Sequence, residues 1–105
     1  MIQIQWTAAT IEEARAIAKA LVAEGCVACA NIISPVESIY KWEGKLEVSQ
    51  EAKVYFKTRK ENFERVRAYI ESHCSYKVPE ILAFTVDAAH RPYYEWVRLE
   101  TNLEK

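Results

Sequence analysis

The first seven residues alternate between apolar and polar side chains. In MIQIQWT the apolar positions are Ile2, Ile4 and Trp6, and glutamines separate them. A period of two predicts a β-strand with one buried face. The strand should therefore place Trp6 in the core and direct both glutamines away from it.

A helical pattern follows this strand. TIEE has the form of a capping box, in which Thr10 caps the first turn and Glu13 reaches back to the cap. Apolar residues then recur at intervals of three and four, and Gly25 favours termination. The spacing predicts a helix over residues 10–24.

Two long extended segments come next, over residues 27–42 and 45–58, with a tight turn between them. A break or bulge is expected at residues 34–35, because proline donates no ladder hydrogen bond. Whether that bulge turns Cys29 toward or away from the core stays open.

The rest of the chain predicts a helix over residues 61–72, a strand over 79–86 and a short helix that begins at Pro92. The order βαββαβ plus one helix is typical of a ferredoxin-like α+β sandwich, with two helices on one face of a four-stranded antiparallel sheet ordered 4-1-3-2. Without repeats or linkers, residues 1–105 should form one domain.

The middle hairpin is longer than this sheet needs. Each side has roughly fifteen residues, or ~50 Å at ~3.3 Å per residue. A protruding two-stranded ribbon rich in apolar residues is not stable alone in water. The sequence therefore predicts strand addition to a neighbouring subunit, and a solvated arm is the alternative. The apolar residues of the protruding half are Val36, Ile39, Tyr40, Trp42, Leu46 and Val48.

Cysteine and histidine form two separate groups. Cys26 and Cys29 follow the carboxyl end of a helix, which does not activate a thiolate, so packing is favoured over redox or metal chemistry. His73 and Cys74 end the second helix at the opposite end of the sheet, and imidazole and thiolate both suit copper or zinc. Ordinary polar contacts at the helix end are the alternative for this second pair.

Charge and composition exclude several classes of partner. The net charge of −1 gives no reason to expect nucleic acid or an anionic membrane, and no segment is long enough to span a bilayer. Three cysteines without a signal-peptide pattern predict a cytoplasmic protein with reduced thiols. An enzyme remains an alternative hypothesis, although no nucleophile–base pair or phosphate loop supports it.

Four segments together resemble the CutA divalent-cation-tolerance family: CVACANI, SIYKWEGKLE, YFKTR and SHCSYKVPEIL, in that order and spacing. The resemblance implies a ferredoxin-like subunit, a tight homotrimer with hairpins paired between subunits, and binding of divalent metals, copper especially. It implies a role in metal tolerance without defining a reaction. Analogy to PII-type trimers adds a small-ligand-sensing alternative.

The resemblance also implies site residues. The family's copper ligands are a cysteine that closes strand one and two histidines after helix two, and those positions here hold Trp6, His73 and Cys74. His73 and Cys74 are thus the predicted metal ligands, and Cys29, which also matches, is a secondary candidate. The residues expected to line clefts between subunits are Tyr40, Trp42, Lys57, Tyr76, Pro79 and Glu80.

Overall fold

The computed structural model describes residues 1–103 and confirms the predicted order of elements. The strands are β1 (Ile2–Ala8), β2 (Cys29–Trp42), β3 (Lys45–Thr58) and β4 (Ile81–Thr85). The helices are α1 (Ile11–Ala23), α2 (Phe63–His73) and α3 (Arg91–Glu100), and a 3-10 turn (Lys60–Asn62) leads into α2. The antiparallel sheet has the order β2-β3-β1-β4, as predicted. None of the helices in residues 1–103 has the length and apolar character of a bilayer span.

The core lies between one face of the sheet and the helices. Ile4 and Trp6 of β1 are fully buried, as the alternation predicts, and so are Val54 and Phe56 of β3. The rings of Trp6 and Phe56 stack with their centroids 6.4 Å apart. The alternate residues of each strand, whose side chains point away from this core, form an open face of the sheet that α1 and α2 leave uncovered.

The ends of α1 follow the expected capping chemistry only in part. Thr10 Oγ1 accepts a hydrogen bond from the Glu13 amide at 3.1 Å. Gly25, with φ +76°, ends the helix in the left-handed region. The predicted reach of the Glu13 carboxylate back to the cap is wrong, because Glu13 Oε1 instead accepts from the backbone amide of Ser75 at 3.1 Å. A donor from the segment after α2 therefore replaces the local one.

The middle hairpin protrudes from the sheet, as its length predicts. β1 pairs with β3 only from Ala52 to Thr58, so the remainder of β3 pairs with β2 alone. We call this projecting part, residues 36–51, the arm. A register shift between Ile33 and Val36 lies at its base, at the predicted break.

The register of β2 decides which way its cysteine faces. Cys29 pairs with Lys57, and Ala30 pairs with the buried Phe56. Because cross-strand partners share a face, Cys29 lies on the open face of the sheet. The preceding Cys26 is buried in the core.

A buried polar network joins the end of the sheet to α3. Asn62 Nδ2 donates to the carbonyl oxygens of Cys26 at 3.2 Å and Thr101 at 3.1 Å. Thr58 Oγ1 also donates to the Cys26 carbonyl, at 2.6 Å. These bonds satisfy buried backbone oxygens and fix the GCVACANI segment in place.

Candidate functional site

His73, the last residue of α2, is held by its own helix. Its ring stacks on Tyr69 with the centroids 3.9 Å apart, and Nδ1 lies 2.8 Å from the Tyr69 carbonyl oxygen. Since a carbonyl only accepts, this contact places the proton on Nδ1. Nε2 is then the nitrogen left for an external ligand.

Cys74 caps the same helix but turns to a different partner. Its half-buried thiol donates to the carbonyl oxygen of Tyr76 at 3.4 Å. Burial raises the pKa of the Cys74 thiol, and the negative charges of Glu13 and Glu71 add to the rise. A metal ion at this sulfur must therefore displace a firmly held proton.

One subunit offers an incomplete set of metal ligands. Within residues 1–103, no three or more His, Cys, Asp or Glu side chains form a group that could hold a metal ion. Trp6 is fully buried, and its Nε1, which only donates, has no hydrogen-bond partner within the described part of the chain, residues 1–103. The side chain at this position consequently has no lone pair for a metal.

The C-x-x-C cysteines lie at the other end of the sheet, where the topology predicts them. Burial raises the pKa of the Cys26 thiol, whereas a reactive thiol needs a lowered pKa. The sulfur of Cys29 lies 3.4 Å from the hydroxyl oxygen of Tyr93. Burial and this contact raise the pKa of Tyr93 to about 12. Cys26 is therefore not an activated thiol. Cys29 stays a secondary candidate metal ligand.

A cleft of about 690 Å³ opens between the arm and the segment that follows α2. Tyr40 and Trp42 line it from the arm, and Tyr76 and Glu80 line it from the opposite side. Four of the six residues expected to line a cleft thus meet within a single subunit.

The other two residues predicted to line a cleft, Pro79 and Lys57, are not part of the lining of this one. Pro79 is half-buried beside the cleft-lining Glu80. Lys57 pairs with Cys29 and with Gln3, toward the far end of the sheet. It lies four positions along β3 from the cleft-lining Lys53, which is ~13 Å at the rise of a strand.

A polar cluster forms the floor of the cleft. Lys53 Nζ donates to Thr7 Oγ1 at 2.7 Å and to Glu80 Oε1 at 2.9 Å. Thr7 Oγ1 donates to the same Glu80 oxygen at 2.6 Å. Burial raises the pKa of Glu80, but the hydrogen bonds from Thr7, Lys53 and Gln5 outweigh it and leave that pKa below its ordinary value.

Glu51 lies beside this cluster at the base of the arm. It is only 8% exposed, and its Oε2 accepts a hydrogen bond from the Tyr76 hydroxyl at 2.5 Å. Sequence analysis did not single out Thr7, Glu51 or Lys53. The alternation of the strands was the signal that could have indicated them, because all three occupy positions whose side chains point to the open face of the sheet.

Comparison with known proteins decides the family. A sequence model described as "CutA1 divalent ion tolerance protein" matches residues 2–100. The chain belongs to the CutA1 family. The Thermus thermophilus protein named "Divalent-cation tolerance protein CutA" is 39% identical over 90 residues, which cover 86% of this chain and 87% of that protein.

The fold agrees with this membership. The solved structure of the "Periplasmic divalent cation tolerance protein CutA" from Archaeoglobus fulgidus superposes with a TM-score of 0.94 at 35% identity, and the match covers 97% of this chain and 100% of that chain. The Arabidopsis thaliana relative "Protein CutA, chloroplastic" is 32% identical over 90 residues, or 86% of this chain. The chain spans half the length of that relative (50%).

Proposed function

We propose that this CutA1-family chain is a homotrimeric protein that binds divalent metal ions, copper especially, and contributes to metal tolerance without catalysing a reaction. The observation that carries the proposal is the family match over residues 2–100. The cytoplasm is the proposed compartment, since the three cysteines are free thiols, the form that a reducing environment maintains.

The arm supports the trimer. Ile39, Leu46 and Val48 lie on one face of the arm and are 64%, 72% and 59% exposed. A contiguous apolar face of this kind marks an interaction surface, and the outer edges of β2 and β4 are unpaired in the four-stranded sheet. A neighbouring copy of the chain would cover the face and extend the sheet by strand addition.

His73 and Cys74 are the proposed metal ligands. Imidazole nitrogen and thiolate sulfur together favour a soft or borderline cation such as copper or zinc over magnesium or calcium. Because their present hydrogen bonds go to two different carbonyls, binding requires that Cys74 release its contact and its proton. Water or a neighbouring subunit supplies the remaining donors.

The test is a copper titration by calorimetry, with metal content measured on the purified, tag-free protein. His73→Ala with Cys74→Ser should lower the affinity at least about tenfold, since each lost ligand removes a direct bond to the ion. The Cys26→Ser, Cys29→Ser variant is the matched control and should bind as the parent does. Unchanged affinity in the first variant would remove this site and direct attention to Cys29.

A second candidate function is sensing of a small ligand in the manner of PII-type trimers. The cleft favours it, because a cavity of about 690 Å³ with aromatic walls and a polar floor has the size and lining of small-molecule sites. Equilibrium binding of a small molecule without turnover would support sensing, and turnover of a bound compound would instead support an enzyme.

A further inference from the structure

Glu51 is a buried carboxylate that has no compensating cation among residues 1–103. Only 8% of the residue is exposed, and its polar partner is the Tyr76 hydroxyl at 2.5 Å. No lysine, arginine or histidine among residues 1–103 forms an ion pair with it. Burying a charge is costly unless it is paired, so this carboxylate favours a positively charged occupant of the cleft.

The nearby lysines do not fill this role. Lys53 has the same strand parity as Glu51, but its ammonium group bonds to Thr7 and Glu80. The opposite charges of Lys53 and Glu80 therefore neutralise each other. Lys77 lines the exposed rim of the cleft and makes no ion pair with Glu51. The negative charge at the base of the arm remains available to a ligand.

Aromatic side chains surround the same space. Tyr40 and Trp42 line the cleft from the arm and are 39% and 49% exposed, and Tyr76 lines it from the opposite side. Aromatic faces attract organic cations, ammonium groups above all. Ca²⁺ and Mg²⁺ need several oxygen ligands, whereas one carboxylate that is free of an ion pair and three rings suit an organic cation.

We propose that the cleft binds a small organic ammonium compound, with its nitrogen at Glu51 and its alkyl groups against Trp42, Tyr40 and Tyr76. This site uses none of the proposed copper ligands. Its failure and the failure of the metal proposal are therefore separate results.

Choline and its uncharged carbon analogue 3,3-dimethylbutan-1-ol are matched probes, and butylammonium tests a primary ammonium. Calorimetry and Trp fluorescence on the full, assembled chain should show saturable binding of at least one of the cations. The uncharged analogue should bind at least about tenfold more weakly, because it has the shape of choline but lacks the positive charge that Glu51 and the aromatic rings attract. Glu51→Gln should weaken cation binding by a similar factor.

Glu47→Gln is the control, because Glu47 pairs with Tyr40 on the arm but lies outside the cleft lining. It should bind choline as the parent does, and circular dichroism should show that both variants fold. Absence of saturable binding by either cation would overturn the proposal, as expected if a neighbouring subunit fills the cleft. Equal binding of the uncharged analogue, or an unchanged Glu51→Gln variant, would also overturn it. If Mg²⁺ binds in a Glu51-dependent way and neither choline nor butylammonium binds, the cleft is an inorganic cation site instead.

Discussion

Leu46→Asp on the arm tests the proposed assembly most directly. Leu46 is 72% exposed, and its neighbours on the same face, Ile39 and Val48, are 64% and 59% exposed. Full burial of such a side chain contributes ~1.5–3 kcal/mol. Covering the exposed part of each therefore contributes ~1–2 kcal/mol, or ~3–6 kcal/mol per arm before the entropic cost of association.

The aspartate would remove one of these contributions and place a carboxylate in an apolar contact. An unpaired buried charge costs several kcal/mol, roughly as much as the whole apolar face contributes. We expect light scattering to find the parent at three times the 12.1 kDa chain mass and the variant at or near the chain mass. The thermal midpoint of the variant should be lower than that of the parent and independent of protein concentration, because a monomer lacks the stabilisation that association gives.

Two controls separate burial from charge alone. Leu46→Met conserves volume and should assemble normally. Lys45→Asp adds an acid one position away, on the other face of the arm, and should change the assembly little. A monomeric parent would refute the reasoning, and so would a Leu46→Asp variant that assembles as tightly as the parent.

Two further predictions concern the stability of the subunit. Asn62→Ala should lower the free energy of unfolding by ~2–4 kcal/mol in urea titrations, because it removes hydrogen bonds to the buried carbonyls of Cys26 and Thr101, and a buried acceptor that loses its partner costs ~1–3 kcal/mol. A cost no larger than the ~1 kcal/mol expected for Thr58→Val would contradict this. Because the pKa of Glu80 is lowered by folding, its charged form stabilises the protein above its ordinary pKa of 4.5, and that stabilisation is lost as the pH falls below it. Glu80→Gln should thus show a flatter acid profile of thermal stability, and profiles that coincide with the parent's would argue against the Glu80 interaction.

Alternation was a sufficient guide to the strands because one face of this sheet is buried. A shift of one residue would expose Trp6 and Phe56, so the core fixes the parity. The length of the hairpin likewise showed that part of it must protrude. The predicted contact of the Glu13 carboxylate with the helix cap was wrong, because the capping-box pattern takes account of local donors only. The Ser75 amide that Glu13 accepts from lies 62 residues away along the chain.

The floor of the cleft could not be derived in the same way. Thr7 and Glu80 are separated by 73 positions, and they meet because β1 lies between β3 and β4 in a particular register. Motif matching gives the order of residues along the chain but not their separation in the sheet. Motif matching therefore did not find Lys53, and the place of Lys57 in a cleft between subunits stays a prediction.

The two ligand proposals make different demands on assembly. The cleft is lined by the arm and the body of one subunit, whereas His73 and Cys74 need donors from outside their own subunit or from water. Leu46 lies on the arm face that points away from Tyr40 and Trp42. A Leu46→Asp monomer should therefore keep its affinity for choline. If a neighbouring subunit completes the metal site, the same monomer should lose affinity for copper, and if water completes it, copper affinity should persist.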